Sequence, residues 1–287
     1  MSLLRHLHAL NRVTDEALVP WQIDGQVQGW LQPALAADCR ASPELFTWHD
    51  GVLALRPAAD FAARSALLAA QVARWAARDD MPQPMGEPYP VTPGARAAAV
   101  AVVDRAYAPV FGIRTFGQHL NGYVRREDGL WMWLGRRAFD RVHAPGRLDQ
   151  LVAGGLPHGL SLRDNLAKEC AEEAGMPAAL AARAHAVGAL TYNRSSERGF
   201  RADVLYCYDL EVPEDFTPVN SDGEVAEFIL LPVEKVLEIV EDTDEFKLNC
   251  NLVVIDFLLR HGVLDPDRPD YLDLLSGLRP PLGPHRP

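Results

Sequence analysis

Glu169, Glu172 and Glu173 stand at i, i+3 and i+4, a spacing that places all three carboxylates on one face of a helix. Acidic groups held side by side repel one another unless a cation lies among them, and hard oxygen ligands of this kind suit Mg2+ or Mn2+. A solvated acidic helix face is the plain alternative. The flanking residues favour a built site. Ser161 with Asp164 three residues on reads as a capping box, Gly175 can take the left-handed conformation past the last turn, and Pro177 blocks continuation. Leu162, Leu166 and Cys170, widened by Ala167, Ala171 and Ala174, form an apolar stripe suited to packing on a sheet, with the carboxylates mostly to its other side. Gly154, Gly155 and Gly159 precede the helix, let the chain turn sharply and bring backbone close to a ligand.

This stretch resembles the Nudix box: Gly, five residues, Glu, seven residues, Arg-Glu, an aliphatic, any residue, Glu-Glu, any residue, Gly, an aliphatic. The first Gly is Gly154, the Arg-Glu pair becomes Lys168-Glu169, the Glu-Glu pair is Glu172-Glu173, and Gly175-Met176 closes the pattern. Two positions depart. Leu160 replaces the first Glu and Lys168 the Arg, two side chains that in the family support the loop–helix geometry by pairing; Lys lacks the planar fork that grips a carboxylate. A closer resemblance adds Leu148-Asp149, Val152-Ala153, Tyr208-Asp209-Leu210, Asp222-Gly223-Glu224-Val225 and Phe246-Lys247-Leu248-Asn249-Cys250-Asn251. It points to the Nudix part fused to thiamin pyrophosphokinase in fungi and to plant homologues with the same N-terminal extension. The resemblance implies an α/β/α Nudix sandwich with a mixed sheet, and Mg2+- or Mn2+-dependent hydrolysis of thiamin diphosphate or its oxidised oxy and oxo analogues to the monophosphate plus phosphate. Another nucleoside-diphosphate derivative, such as ADP-ribose, a dinucleotide or a coenzyme A compound, is the alternative substrate. A silent ligand sensor ranks last, because silent members usually lose the Glu-Glu pair.

A diphosphate resists hydrolysis because its negative oxygens repel a nucleophile, and divalent cations held by Glu169, Glu172 and Glu173 would neutralise them and acidify water. A general base is still needed. Glu173 is one candidate. Glu224 is the other, in the loop formed by Asn220-Ser221-Asp222-Gly223-Glu224, where a surface carboxylate is an equal reading; strand alternation should send Glu227 elsewhere. Arg194, Arg198 and Arg201 could grip a terminal phosphate, or belong to a solvated hairpin loop. Trp131 and Trp133, two apart on one strand, share a face and could stack on a heteroaromatic ring or pack in the core. His158 reads as a support of the turn, and His143 and His185 lack zinc-ligand spacing. The candidate substrate-binding residues are thus Arg194, Arg201, Trp133, Gly154 and Gly155.

The elements that position these groups fall in two parts, a small α+β N-terminal domain over 1–107 and a Nudix domain over 108–287. In the first, a helix is expected at 3–12, strands at 27–31 and 52–55, a helix at 58–78 and an extended proline-rich connector at 81–90. Its role is packing against the second domain, or walling the substrate pocket with Trp21 or Trp30. In the second, strands are expected at 110–113, 119–124, 130–137, 186–192, 203–210 and 227–231, helices at 161–175, 232–241 and 247–261, and a frayed tail at 279–287. With 28 basic against 39 acidic residues, the net charge of −11 argues against nonspecific nucleic-acid binding. No apolar run approaches the roughly 20 residues of a membrane span, and the first residues lack a secretory core, so a cytoplasmic location is expected. The four scattered cysteines read as reduced packing residues. A small-molecule diphosphate is the expected partner, with a homodimer left open.

Overall fold

The computed structural model describes residues 2–14, 17–221 and 223–284. Asp222 of the expected active-site loop and residues 285–287 of the expected tail lie outside them. In chain order the first part contains α1 (Leu4–Leu10), β1 (Val19–Ile23), β2 (Gln26–Leu31), α2 (Pro33–Arg40), β3 (Phe46–His49), β4 (Val52–Leu55), α3 (Phe61–Ala76), β5 (Pro88–Val91) and β6 (Ala101–Asp104). The second contains α4 (Ala108–Phe111), β7 (Arg114–Arg126), β8 (Gly129–Arg137), β9 (Leu148–Gln150), β10 (Val152–Gly155), α5 (Leu162–Ala174), α6 (Ala178–Ala181), β11 (His185–Ser196), β12 (Gly199–Glu211), β13 (Val225–Pro232), α7 (Val233–Asp242), α8 (Cys250–Arg260) and α9 (Tyr271–Gly277).

The second part is the expected α/β/α sandwich. Its mixed sheet runs β11-β12-β7-β8-β13, with β10 on β7 and β9 on β8; β12 and β7 are parallel and their neighbours antiparallel. On one face Leu166, Cys170 and Ala174 of α5 meet Leu120, Val152, Tyr208 and Leu210. On the other, Val236, Val254 and Phe257 of α7 and α8 meet Met132, Leu134, Leu190 and Leu205. The first part has a core built from Trp21, Leu53, Leu68, Trp75 and Tyr107 between a four-stranded sheet, order β2-β1-β4-β3, and α3, and Phe111 of α4 packs into it. Helix α1 is separate from that core: Leu3, Leu7 and Leu10 pack among α8 and α9.

Several expectations change. The apolar run at 110–113 is not a strand; Pro109 lies in the first turn of the short helix α4, and Gly112 stops it at φ +61°. A four-residue apolar run carries no period, so the sequence alone could not separate the two. Strand β1, helix α2 and strand β3 went unread, and the end of the connector pairs as β5 with β6. Arg194 and Arg201 are not in a loop: β11 and β12 continue through them as direct cross-strand partners, and only Glu197 and Arg198 turn. The described tail is not frayed either. Thr191 Oγ1 donates to the Pro280 carbonyl, Asn193 Nδ2 to that of Pro281, and Arg279 pairs with Asp256 at 2.6 Å.

The two parts meet at a tight seam. Trp21 Nε1 donates to the Phe111 carbonyl at 2.8 Å, the Trp30 amide donates to the Gly112 carbonyl at 3.2 Å, and a Cβ on Gly112 would collide with the Trp30 carbonyl. Gly112→Ala combines a left-handed backbone with that collision. It is expected to cost about 2 kcal/mol or more, read as a lower urea midpoint with an unchanged slope.

Candidate active site

Helix α5 forms as its residues dictate. Ser161 Oγ accepts the Asp164 amide at 3.0 Å, and at the other end Gly175 turns left-handed at φ +58° with its amide on Ala171 O and that of Met176 on Cys170 O. The helix carries its acidic face over the end of β10. Gly154 and Gly155 lie in that strand, opposite Gln118 and Gly117, so they serve by leaving space. A Cβ on Gly154 would come within 2.6 Å of Glu169 Cδ, and one on Gly155 would strike the Tyr89 hydroxyl and lie 3.1 Å from Arg105 Cζ.

The three carboxylates have different surroundings. Glu173 is buried and its Oε2 accepts the Ala153 amide at 2.9 Å. Burial pushes its carboxyl well above the usual range, and the charges of Asp149 and Glu169 push the same way. Glu169 is raised by burial too, with Lys168 opposing and Glu172 and Glu224 adding to the rise. Glu172 is half-exposed and pairs with Lys168 Nζ at 2.5 Å; the same ammonium lies 3.6 Å from Glu169. Glu224 lines one small crevice with Glu173, Asp149 and Arg137, about 10 Å³ in volume, room for about one water-sized particle. Arg141 approaches Glu224 at 2.8 Å. Glu227 points elsewhere and pairs with Arg136 at 2.8 Å. Buried carboxylates that raise one another's affinity for a proton are a donor set that a divalent cation fits.

Beside them lies a polar knot. Asp149 Oδ2 accepts Lys247 Nζ at 2.9 Å and Arg137 Nη1 at 3.3 Å; Oδ1 accepts the Cys250 thiol at 2.8 Å and the Gln150 amide at 2.9 Å. Burial alone would raise this carboxyl, yet the charges around it, Lys247 first, hold it at about 2. His119, whose Nδ1 lies 2.6 Å from Gln150 Oε1, is lowered by burial to about 4. Donor atoms of His119, Asp149 and Cys250 lie within 4.8 Å of one another, but two cations already neutralise Asp149. The four cysteines are free and buried, as expected.

Several basic groups lie within range of His143. Burial, and then the charges of Arg198, Arg201, Arg105 and Arg137, lower the pKa of His143. Arg201 pairs with Asp203 at 3.0 Å and lies near Tyr89 and Tyr192. Arg194 sits across from Arg201, on the strand face of Tyr192 and Leu205. Trp133 is not brought to them. It packs with Trp131, Phe228 and Leu230 on the α5 face of the sheet, the bland alternative of the two.

The loop before α5 is held from the first part of the chain. Arg96 Nη2 donates to the carbonyls of Pro157 and Leu160, the His158 amide donates to the Pro88 carbonyl, and the His158 ring stacks on Phe61 with centroids 5.2 Å apart. His158 thus supports the turn, as expected. These contacts brace the loop where Leu160 and Lys168 cannot. Trp21 and Trp30 do not wall the pocket: Trp21 is fully buried in the seam and Trp30 packs edge-on against Phe200 at 5.7 Å. Sequence reasoning missed Tyr89, Arg96 and Arg105, which sit in stretches with no period or motif, and Arg137, which ends the expected strand at 130–137. Asp149 and Lys247 did leave a signal, within the matched segments outside the box.

This arrangement matches a known family. The NUDIX domain profile matches residues 117–250, and one described as a domain of unknown function (DUF4743) matches residues 2–115. The chain belongs to the Nudix hydrolase family and is a hydrolase. It is 42% identical to Nudix hydrolase 24, chloroplastic, of Arabidopsis thaliana, covering 91% of this chain and 72% of the relative. Nudix hydrolase 20, chloroplastic, from the same plant is 41% identical with the same coverage. The solved structure of DR0079 from Deinococcus radiodurans overlaps with a TM-score of 0.43 at 17% identity, covering 58% of this chain and 95% of that one. The cytoplasmic location expected from sequence is overturned by the two plant relatives, both of which are named chloroplastic. Nudix hydrolases act on small-molecule diphosphates and generally use divalent metals such as Mg2+ or Mn2+. Among the described residues no helix is long and apolar enough to cross a membrane.

The knot gives the protein a defined acid response. His119 stays neutral in the fold while the unfolded chain takes a proton below pH 6.5, so stability declines from there toward about 4. Asp149 adds stability above its ordinary pKa of 3.8 that is lost as pH falls through about 2. Tryptophan fluorescence across an acid titration should follow this decline, and Lys247→Met should move the midpoint to higher pH.

Proposed function

We propose that the cleft between α5, the β8–β9 loop and the loop before β13 hydrolyses the diphosphate of a small organic molecule, with Glu169, Glu172, Glu173 and Glu224 holding Mg2+ or Mn2+. The observation that carries this reading is that Glu173 and Glu224 share one crevice with Arg137, while Glu169 and Glu173 repel each other and three further arginines act with Arg137 on His143. A divalent ion bound there would supply positive charge against the phosphate oxygens and acidify water. Arg137, Arg198 and Arg201 orient the anionic phosphates, with Arg194 beside Arg201. Glu173 or Glu224 takes the proton of the attacking water at a carboxylate oxygen. The water oxygen bonds to the terminal phosphorus, the bond to the bridging oxygen breaks, and the organic monophosphate and inorganic phosphate leave. In this reading residues 108–287 form the hydrolase and residues 1–107 the unit that braces it.

The substrate we assign is thiamin diphosphate or its oxidised oxy and oxo analogues. Support comes from the matched segments outside the box, among them Asp149, Asp209 and Lys247, each of which makes a buried ion pair here. Glu172→Gln and Glu173→Gln should each lower kcat about a hundredfold or more. Because Glu173 bears the desolvation of a buried charge, Glu173→Gln should also raise the melting temperature while activity falls. Phosphate release with Mg2+ from thiamin diphosphate, its oxidised analogues, ADP-ribose, a dinucleotide and a coenzyme A compound, measured side by side, tests the substrate. Preference for an adenylyl compound rejects the assignment.

A further inference from the structure

Arg105 and Tyr89 come from the first part of the chain, on the short β5–β6 ribbon and just after it, yet they stand at the end of the carboxylate cleft. Gly155 at the tip of β10 exists as glycine because these two side chains occupy the space a Cβ would need. The Arg105 guanidinium lies 5.6 Å from the centre of the Tyr89 ring and close enough to Glu169 for the two charges to act on each other. The charge of Arg201 also acts on Tyr89, and His143 feels Arg105 together with three arginines of the hydrolase part. Arg105 is therefore within the same field as the groups proposed to hold the diphosphate.

Its donors are not used up. Nη1 donates to both carboxylate oxygens of Glu87, at 3.3 and 3.0 Å, while among the described residues no partner takes Nη2 or Nε. The side chain is about 40% exposed, so those donors are not sealed in. Tyr89 is 4% exposed, and among the described residues its hydroxyl has no hydrogen-bond partner. A guanidinium with spare donors in a fixed fork suits phosphate oxygens.

We propose that the N-terminal unit contributes a substrate-binding pair to the hydrolase: Arg105, and beside it the Tyr89 hydroxyl, receive phosphate oxygens of the bound organic diphosphate at the Gly155 end of the cleft. The inference rests on the hydrolase reading above. It gives the N-terminal unit a direct part in substrate recognition, beyond bracing the loop. Glu87 holds the guanidinium from behind and leaves its other edge for the ligand.

The test uses the full-length protein and methylenediphosphonate, a diphosphate that cannot be hydrolysed, with Mn2+ binding followed separately. Arg105→Gln should weaken methylenediphosphonate binding about tenfold or more, the scale of a lost hydrogen bond to a charged group, with Mn2+ affinity unchanged. Arg105→Lys should recover part of the loss, and Glu87→Gln, which keeps the guanidinium, should bind at least as well as the unaltered protein. In turnover, Arg105→Gln should raise KM more than it lowers kcat. Equal diphosphonate affinity in the unaltered protein and in Arg105→Gln overturns the inference and leaves the hydrolase reading intact. So does a lower melting temperature with unchanged affinity, the signature of a joint between units. Should Arg105→Gln fail to fold, Arg105→Lys decides: full diphosphonate affinity there together with an unchanged KM overturns the inference. Failure of the unaltered protein to bind Mn2+ removes the hydrolase reading and this inference with it.

Discussion

Glu173 is buried and Glu169 partly so, within reach of each other's charge, and that repulsion is the constraint to which the rest of the site answers. Desolvation and like charge both favour protonation, so at neutral pH the fold holds these groups at a cost. Among the described residues only one amide, that of Ala153, reaches Glu173, and Lys168 lies closer to Glu172 than to Glu169. The fold accepts this because β10 ends in two glycines. Gly154 lets Glu169 lie flat on the strand, and a larger residue would lift α5 away. A charge deficit of this kind marks a functional site more often than a structural one.

The neighbouring knot shows the opposite solution. Asp149 is as buried as Glu173, yet Lys247, Arg137, the Cys250 thiol and a backbone amide meet it. Its charge is satisfied, and it ties β9 to the start of α8 while holding Arg137 at the crevice. Two carboxylates a few residues apart in space thus have opposite pKa shifts, one held down by partners and one driven up by their lack. The contrast separates a group that stabilises the fold from a group that the fold keeps available.

The loop before α5 is held by residues from the first part of the chain. Arg96, Pro88 and Phe61 grip the loop at Pro157, His158 and Leu160. Backbone carbonyls and a stacked ring replace one ion pair. Because the grip comes from another part of the chain, the loop geometry now depends on how the two units pack, through the seam at Trp21, Trp30 and Gly112.

The sequence by itself determined the local features: helix α5 with its cap at Ser161 and stop at Gly175, the shared face of Glu169, Glu172 and Glu173, the long strands of the sheet, and the family. The local elements follow from interactions within a few residues, so spacing carries them, and the family follows from a motif resemblance. The same reasoning misread Val110–Ile113, whose apolar run has no period, and left Trp133 undecided between ligand and core, because both roles use the same face of a strand. Only the tertiary structure decided which carboxylate is buried, that Arg194 faces Arg201 along a continued hairpin, and that Tyr89 and Arg105 stand against Gly155. The last of these depends on contacts between residues fifty or more apart, and no pattern along the chain records a distance that forms only when two units pack.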